Sequence, residues 1–253
     1  MIITFLGTGT SQGIPVIACE CEVCQSVDYR DKRSRTSIHI EVDGLSLVVD
    51  TGPDFRNQML RERIKHLDAV LFTHAHKDHT AGMDDVRSFN FKQQMDMPVY
   101  ARKEVIEQLQ KEYSYVFAEH KYPGVPQVEI IEIENVPFQI AETTITPIEV
   151  MHYKLPVFGF RIKDFTYITD ANYIDDQEIE KIKGSKVVVL NALQKKAHIS
   201  HFTLDEAIAM AQRIGAEQTY FIHMSHNLGK HRDVEQELPD GIEFAYDGLK
   251  VEL

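Results

Sequence analysis

Leu71-Phe72-Thr73-His74-Ala75-His76-Lys77-Asp78-His79 decides how this chain is read: four potential metal ligands fall within six residues, directly after a strand-like apolar run and before Thr80-Ala81-Gly82. In an extended backbone, side chains repeat every two residues, so His74 and His76 point to the same side. A turn after Lys77 brings Asp78 and His79 round to a second point nearby. The expectation is a dinuclear centre, with two divalent cations a few ångströms apart polarising a shared water. A structural zinc fits less well, because such sites favour cysteine and use four ligands. A purification tag would be terminal and homopolymeric, whereas this segment is internal.

Outward from this segment, short β-type runs recur at residues 2–6, 37–42, 45–50, 69–73, 128–132, 144–150, 157–162, 166–170, 186–191 and 218–223. Several alternate apolar with polar residues as half-buried strands do, while Val187-Val188-Val189-Leu190 is continuous, as a strand covered on both faces would be. Helical periodicity marks residues 103–117, 176–182, 203–214 and, less clearly, 84–91. Thr203 with Glu206 fits a capping box, and Gly215 supplies the stop. Two sheets with helices outside would bury every apolar face. An apolar strand ending in Asp, then a small-residue turn, occurs at Asp50-Thr51-Gly52 and again at Asp170-Ala171-Asn172, a weak echo of duplication. No linker divides the chain, so residues 1–253 are read as one domain.

Composition narrows the partners. The 253 residues carry 27 Lys and Arg against 39 Asp and Glu, a formal charge of −12. So acidic a surface repels polyphosphate backbones and makes nucleic acid an unlikely partner. A bound metal pair reverses the sign locally, so small anionic substrates stay open. No apolar run approaches the ~18–20 residues of a membrane span. Met1-Ile2-Ile3-Thr4-Phe5-Leu6 has no positive residue before its apolar run and reads as a first strand; the chain is expected to be cytoplasmic. The 3 cysteines, Cys19, Cys21 and Cys24, are confined to six residues. An odd, local cluster argues for a metal site over a disulfide scaffold.

His-x-His-x-Asp-His after a strand resembles the signature of the metallo-β-lactamase superfamily. The opening Phe5-Leu6-Gly7-Thr8-Gly9-Thr10-Ser11 resembles the first strand and glycine turn of its phosphodiesterase branches, and the end of the 47–50 run with Thr51-Gly52 resembles its Asp-x-Gly strand end. The resemblance implies an α/β fold, a four-layer αββα sandwich of two mixed sheets with helices outside. It implies three further ligands, His152, Asp170 and His223. His74, His76 and His152 would hold one metal, Asp78, His79 and His223 the other, and Asp170 would bridge them. Zn or Mn suits this set, and Fe is open too. A tetrahedral structural zinc on Cys19, Cys21 and Cys24 needs a fourth ligand, for which His226 is the candidate.

The cysteine loop together with the metal set is similar to one branch, the cyclic phosphodiesterases of the carbon–phosphorus lyase pathway, which act on phosphoribosyl cyclic phosphate. His201-Phe202-Thr203 resembles the His-x-Thr element of phosphodiesterase branches, where the His faces substrate; Asp78 and His201 are the expected catalytic residues, His201 as an imidazolium. The expectation is hydrolysis of a small phosphate ester, such as phosphoribosyl 1,2-cyclic phosphate, by water activated between two divalent ions. Two alternatives share much of the pattern: a tRNA 3′-processing nuclease and a non-hydrolytic cofactor-biosynthesis protein. Segments 113–127 and 153–157 are candidate pocket walls. A homodimer is compatible with the sequence; His39, His66, His120 and His231 carry no motif, and His198 stays open between surface and site.

Overall fold

A computed structural model describes residues 1–253. In the N-terminal half, β1 (Ile2–Gly7), β2 (Ser37–Val42), β3 (Leu45–Val49), β4 (Ala69–Leu71), β5 (Met97–Ala101) and β6 (Val128–Glu132) lie side by side in chain order. β1 to β3 pair antiparallel, and β3 to β6 pair parallel. Parallel neighbours need crossovers, and these hold α1 (Phe55–Glu62), α2 (Lys77–Thr80), α3 (Arg87–Gln93) and α4 (Lys103–Glu112). The second sheet contains β7 (Phe138–Ile140), β8 (Thr143–His152), β9 (Leu155–Ile162), β10 (Phe165–Tyr167), β11 (Tyr173–Ile174), β12 (Val187–Asn191), β13 (Gln218–Ile222) and β14 (Ile242–Phe244). Its order is β11, β8, β9, β10, β12, β13, β14, with β7 beside β8. Helices α5 (Asp176–Ile182), α6 (Leu204–Ile214) and α7 (His231–Glu235) connect the later strands, and β15 (Lys250–Glu252) returns to pair with β1.

The burial of alternate side chains defines the layers. Leu47 and Val49 of β3, with Ala69 and Leu71 of β4, face Phe158, Phe160, Val187 and Val189 in a core between the sheets. Val48 and Val70, pointing the other way, pack with Phe55, Phe89 and Leu109 of the outer helices. In β12, Val188 and Leu190 join Ala207, Ala211 and Ile214 of α6 on the opposite face. That double coverage explains the uninterrupted apolar run of β12. Each such buried Val, Leu, Ile or Phe side chain contributes roughly 1.5–3 kcal/mol. The result is the four-layer αββα sandwich of two mixed sheets.

Some elements differ from the sequence expectation. The 84–91 periodicity divides into a 3₁₀ turn at Met83–Val86 followed by α3. The 103–117 helix stops at Glu112, because Tyr113 leaves helical geometry and donates its hydroxyl to Thr80 O at 2.8 Å. β5, β14, β15, α1 and α7 have no clear periodic signal; β5 carries Pro98, and α7 is one turn long. The capping box at Thr203 is present, with Gly215 left-handed at φ 71° as the stop.

Candidate metal centre

Parallel strands from both sheets end at one edge, and the loops that leave those ends carry the ionisable groups. Asp50 follows β3, His74 lies three residues beyond β4, Asp170 three beyond β10, and His223 directly follows β13. Asp50, Asp170 and His223 all adopt left-handed backbone, at φ 65°, 55° and 57°. For residues with a Cβ this conformation costs about 1–3 kcal/mol, and such strain collects where side chains must be aimed. Gly52 is required for another reason: a Cβ there would stand 2.2 Å from Asp78 O, so only glycine lets its turn touch the histidine loop.

The structure gathers the expected residues into two donor groups. His74, His76, His152 and Asp170 form one and Asp78, His79, Asp170 and His223 the other, with the donor atoms of each group all within 4.8 Å of one another. Asp170 belongs to both. Its Oδ2 lies 3.8 Å from His74 Nε2, while its Oδ1 lies 3.4 Å from His79 Nε2 and 3.2 Å from His223 Nε2. One carboxylate oxygen therefore faces each group. The loop after His76 is not a simple turn but the short helix α2, which swings Asp78 and His79 to the second group.

Hydrogen bonds outside these groups set the imidazole orientations. Asp50 Oδ2 lies 2.6 Å from His79 Nδ1, and a carboxylate accepts, so His79 carries its proton on Nδ1 and presents Nε2. Thr73 Oγ1 donates to Asp50 Oδ2 at 2.8 Å and so accepts from His74 Nδ1 at 2.9 Å. His152 Nδ1 donates to Ser200 O at 2.9 Å. Two presented nitrogens lack partners: buried His79 Nε2 and His223 Nε2 make no hydrogen bond although carboxylate oxygens are close, whereas His74 Nε2 lies 3.0 Å from His76 Nδ1. An orphaned buried donor set is costly in a protein, and divalent cations would satisfy it. The residues fit a metal pair.

The charges agree. Burial would raise the Asp170 carboxyl, but His223, His79 and the His201 hydrogen bond together hold it well below the usual carboxylate range. Asp50, marked in the sequence as the Asp of the Asp-x-Gly strand end but given no role there, is a positioning group with Thr73 and Ser200; Ser200 acts through its backbone carbonyl and leaves no side-chain trace.

His201 lies between the two groups, its ring stacked on His223 at 4.9 Å and edge-on to His152 at 4.6 Å, with its Nε2 3.2 Å from Asp170 Oδ2. It belongs to neither donor group. Burial pushes its pKa down to about 4, outweighing Asp170, so the free imidazole is neutral near pH 7 where the sequence reading has an imidazolium. His198 Nδ1 reaches within 3.2 Å of His201 Nδ1, placing that residue at the site's edge. Among the unassigned histidines, His231 is buried and accepts from Arg33 Nη2 at 2.9 Å, and His39 lies 2.8 Å from Ser46 Oγ. Leu155 and Pro156 line a cavity beside His74 and His76, whereas no residue of 113–127 lines it.

Cys19, Cys21 and Cys24 converge on His226, with sulfurs 3.2, 3.4 and 3.6 Å from Nδ1. One ring nitrogen cannot bond three thiols at once, so the arrangement suits a cation between them. The Cys24 backbone N–H, with help from His226, holds the Cys21 thiol down to about 6. Backbone bonds between Thr8, Thr10 and Met224 tie the N-terminal loop to the segment holding His223 and His226. Cys21→Ser should remove one equivalent of zinc per chain and lower Tm by about 5 °C, the shift given by a loss of roughly 2 kcal/mol at this size. Metal analysis and a thermal melt check it; unchanged zinc would separate Cys21 from any metal.

A family model described as "Beta-lactamase superfamily domain" matches residues 46–224, and the chain belongs to that superfamily. An octanoyltransferase of Porphyromonas gingivalis is 40% identical over 248 residues, covering 97% of this chain and 50% of that protein. The chain spans about half the length of the curated relatives it matches. Among solved structures, a diphosphatase from the PhnP family superposes with a TM-score of 0.93 at 38% identity, covering 100% of this chain and 97% of that one. Zn(2+)-bound PqqB from Methylobacterium extorquens shares the fold, with a TM-score of 0.80 at 18% identity over the full length of both. No helix is long and apolar enough to cross a membrane.

Proposed function

We propose that residues 1–253 form one metal-dependent hydrolase domain, a phosphodiesterase acting on a small cyclic or compact phosphate ester such as phosphoribosyl 1,2-cyclic phosphate. The observation that carries this reading is the split carboxylate of Asp170, with one oxygen toward each donor group and His201 above it. Likeness to a PhnP-family diphosphatase supports phosphoryl chemistry. His74, His76 and His152 would hold one divalent ion, Asp78, His79 and His223 a second, with Asp170 between; Zn and Mn both suit these donors. Such a pair supplies Lewis-acid polarisation and water acidified to near-neutral pKa.

The chain's own residues do the rest. Asp50, Thr73 and Ser200 O fix three imidazoles. His201 donates through Nε2 to Asp170 in the free protein and turns that N–H to a phosphoryl or leaving oxygen when substrate is bound. The cysteine site anchors the loop beside His223, in keeping with a reducing compartment.

The acyl-transfer name of the Porphyromonas relative belongs to a protein about twice this length. We assign that activity to the half of that protein without a counterpart here, because the His and Asp donor groups of this chain suit metal-dependent hydrolysis. A tRNA nuclease is disfavoured by the charge of −12.

Metal analysis followed by turnover of a panel of cyclic phosphates, phosphodiesters and lactones tests the reading. The expected result is two ions per chain beyond the cysteine-site zinc, with phosphodiesters hydrolysed. A single ion in the His/Asp centre, or lactone turnover without diester turnover, would overturn it.

A further inference from the structure

A cavity of about 470 Å³ flanks the first donor group, with His74 and His76 on one wall and Ala75, Val105, Leu155 and Pro156 on the others. We infer that it receives the ester arm of the substrate that does not react, and that this arm is an uncharged group with an apolar face, alkyl or aryl, not a second phosphate. The inference rests on the phosphodiesterase reading. A phosphoryl group seated at Asp170 has His74 and His76 beside it, so one of its ester arms leaves along this wall.

Most polar groups of the cavity are already engaged, Arg102 Nη2 being the exception. Arg102 is its cation besides the histidines. Its Nε donates to Glu104 at 3.1 Å, its Nη1 to Glu149 at 3.1 Å and to Pro156 O at 3.2 Å, and its guanidinium lies 4.7 Å over the Phe158 ring. Gln108 Nε2 donates to Glu112 at 2.6 Å. A second phosphate would compete with the carboxylates of Glu104 and Glu149 for Arg102 and stand next to both, whereas an apolar arm displaces only water from Ala75, Val105, Leu155 and Pro156.

The rim points the same way. Leu155 of the cavity wall is 38% exposed, and Tyr153 and Ile199, next in the chain to His152 and Ser200, are 50% and 65% exposed. Asn172 ties the two rim segments together, accepting from Tyr153 N–H at 2.7 Å and donating to Ile199 O at 3.2 Å. A phosphoribosyl substrate would then direct its second phosphate away from this cavity.

Metal-loaded protein should be assayed with p-nitrophenyl phosphodiesters whose second arm is methyl, hexyl or carboxyethyl. Binding of methylphosphonate and hexylphosphonate should be measured by calorimetry. Hexyl should exceed methyl by at least about tenfold in both kcat/KM and affinity, given a few-fold gain for each buried methylene, and carboxyethyl should fall below methyl. Leu155→Glu, at a partly exposed position that tolerates charge, should bring the hexyl-to-methyl ratio toward one. Equal affinities for the two phosphonates, a preference for the anionic arm, or a ratio unmoved by Leu155→Glu would overturn the inference. Absence of turnover with every diester would overturn the phosphodiesterase reading instead, while the phosphonate affinities still decide which arm the cavity accepts.

Discussion

Asp170→Asn should reduce kcat/KM by on the order of 10³-fold or more, the scale of several kcal/mol of lost charge stabilisation, and should leave fewer than two ions in the His/Asp centre. The substitution keeps the shape of the side chain and removes its charge. Asp170 Oδ1 lies 3.4 and 3.2 Å from the unpartnered Nε2 atoms of His79 and His223, and Oδ2 is turned toward His74. An amide can offer an oxygen to one donor group only; its NH₂ then faces the other, where a cation should sit. Thr169 Oγ1, which donates to Asp170 Oδ1 at 2.6 Å, would select the amide oxygen for its own side and direct the NH₂ toward His74 and His201. The group of His74, His76 and His152 is therefore expected to lose its ion first. Metal content by mass spectrometry, alongside kcat/KM, measures both parts. A variant with two ions and wild-type turnover would deny Asp170 any bridging role.

How far the sequence carried this picture depends on which physical signal each feature leaves. Strands covered on both faces, such as β12, and the capped helix α6 announce themselves through apolar continuity, Thr203–Glu206 spacing and Gly215. β5 and α7 are too short for periodicity to stand out, and the position of β5 follows from pairing with β4 and β6. His74, His76, Asp78 and His79 are legible as a cluster because they are neighbours in the chain. His152, Asp170 and His223 are strand-end residues whose convergence no local pattern encodes; a family resemblance named them, and the folded backbone brings their donor atoms together. The agents that aim the ligands are less visible still. Thr73 works through a hydroxyl shared between Asp50 and His74, and Ser200 through a carbonyl. The protonation of His201 was beyond the sequence because burial sets it, and burial is a property of the assembled site.

His201→Ala separates chemistry from metal binding, and kcat should fall by about 10²–10⁴-fold, the range a positioned proton-transferring group supplies, while the metal content stays at the wild-type level. An alkoxide leaving group departs poorly without a donor, and His201 is the buried imidazole that touches Asp170 without joining either donor group. Neutral in the free protein, it can give up a proton only after taking one up beside the negative charge of a bound phosphoryl group, and otherwise contributes its Nε2–H as a hydrogen bond. Its ring lies parallel to His223 at 4.9 Å and edge-on to His152 at 4.6 Å, so it is held by packing in addition to the hydrogen bond. Truncation leaves a space that water can enter, and Asp170 keeps its bond from Thr169, so the ligand sets should persist. His201→Gln restores an N–H without a ring that can take up and release a proton. Partial recovery with Gln would place the contribution in hydrogen bonding to a phosphoryl oxygen; activity as low as that of Ala would place it in proton transfer to the leaving group. Loss of an ion together with activity would give His201 a different task, holding Asp170 in position, and the proton-donor role would then pass to another group.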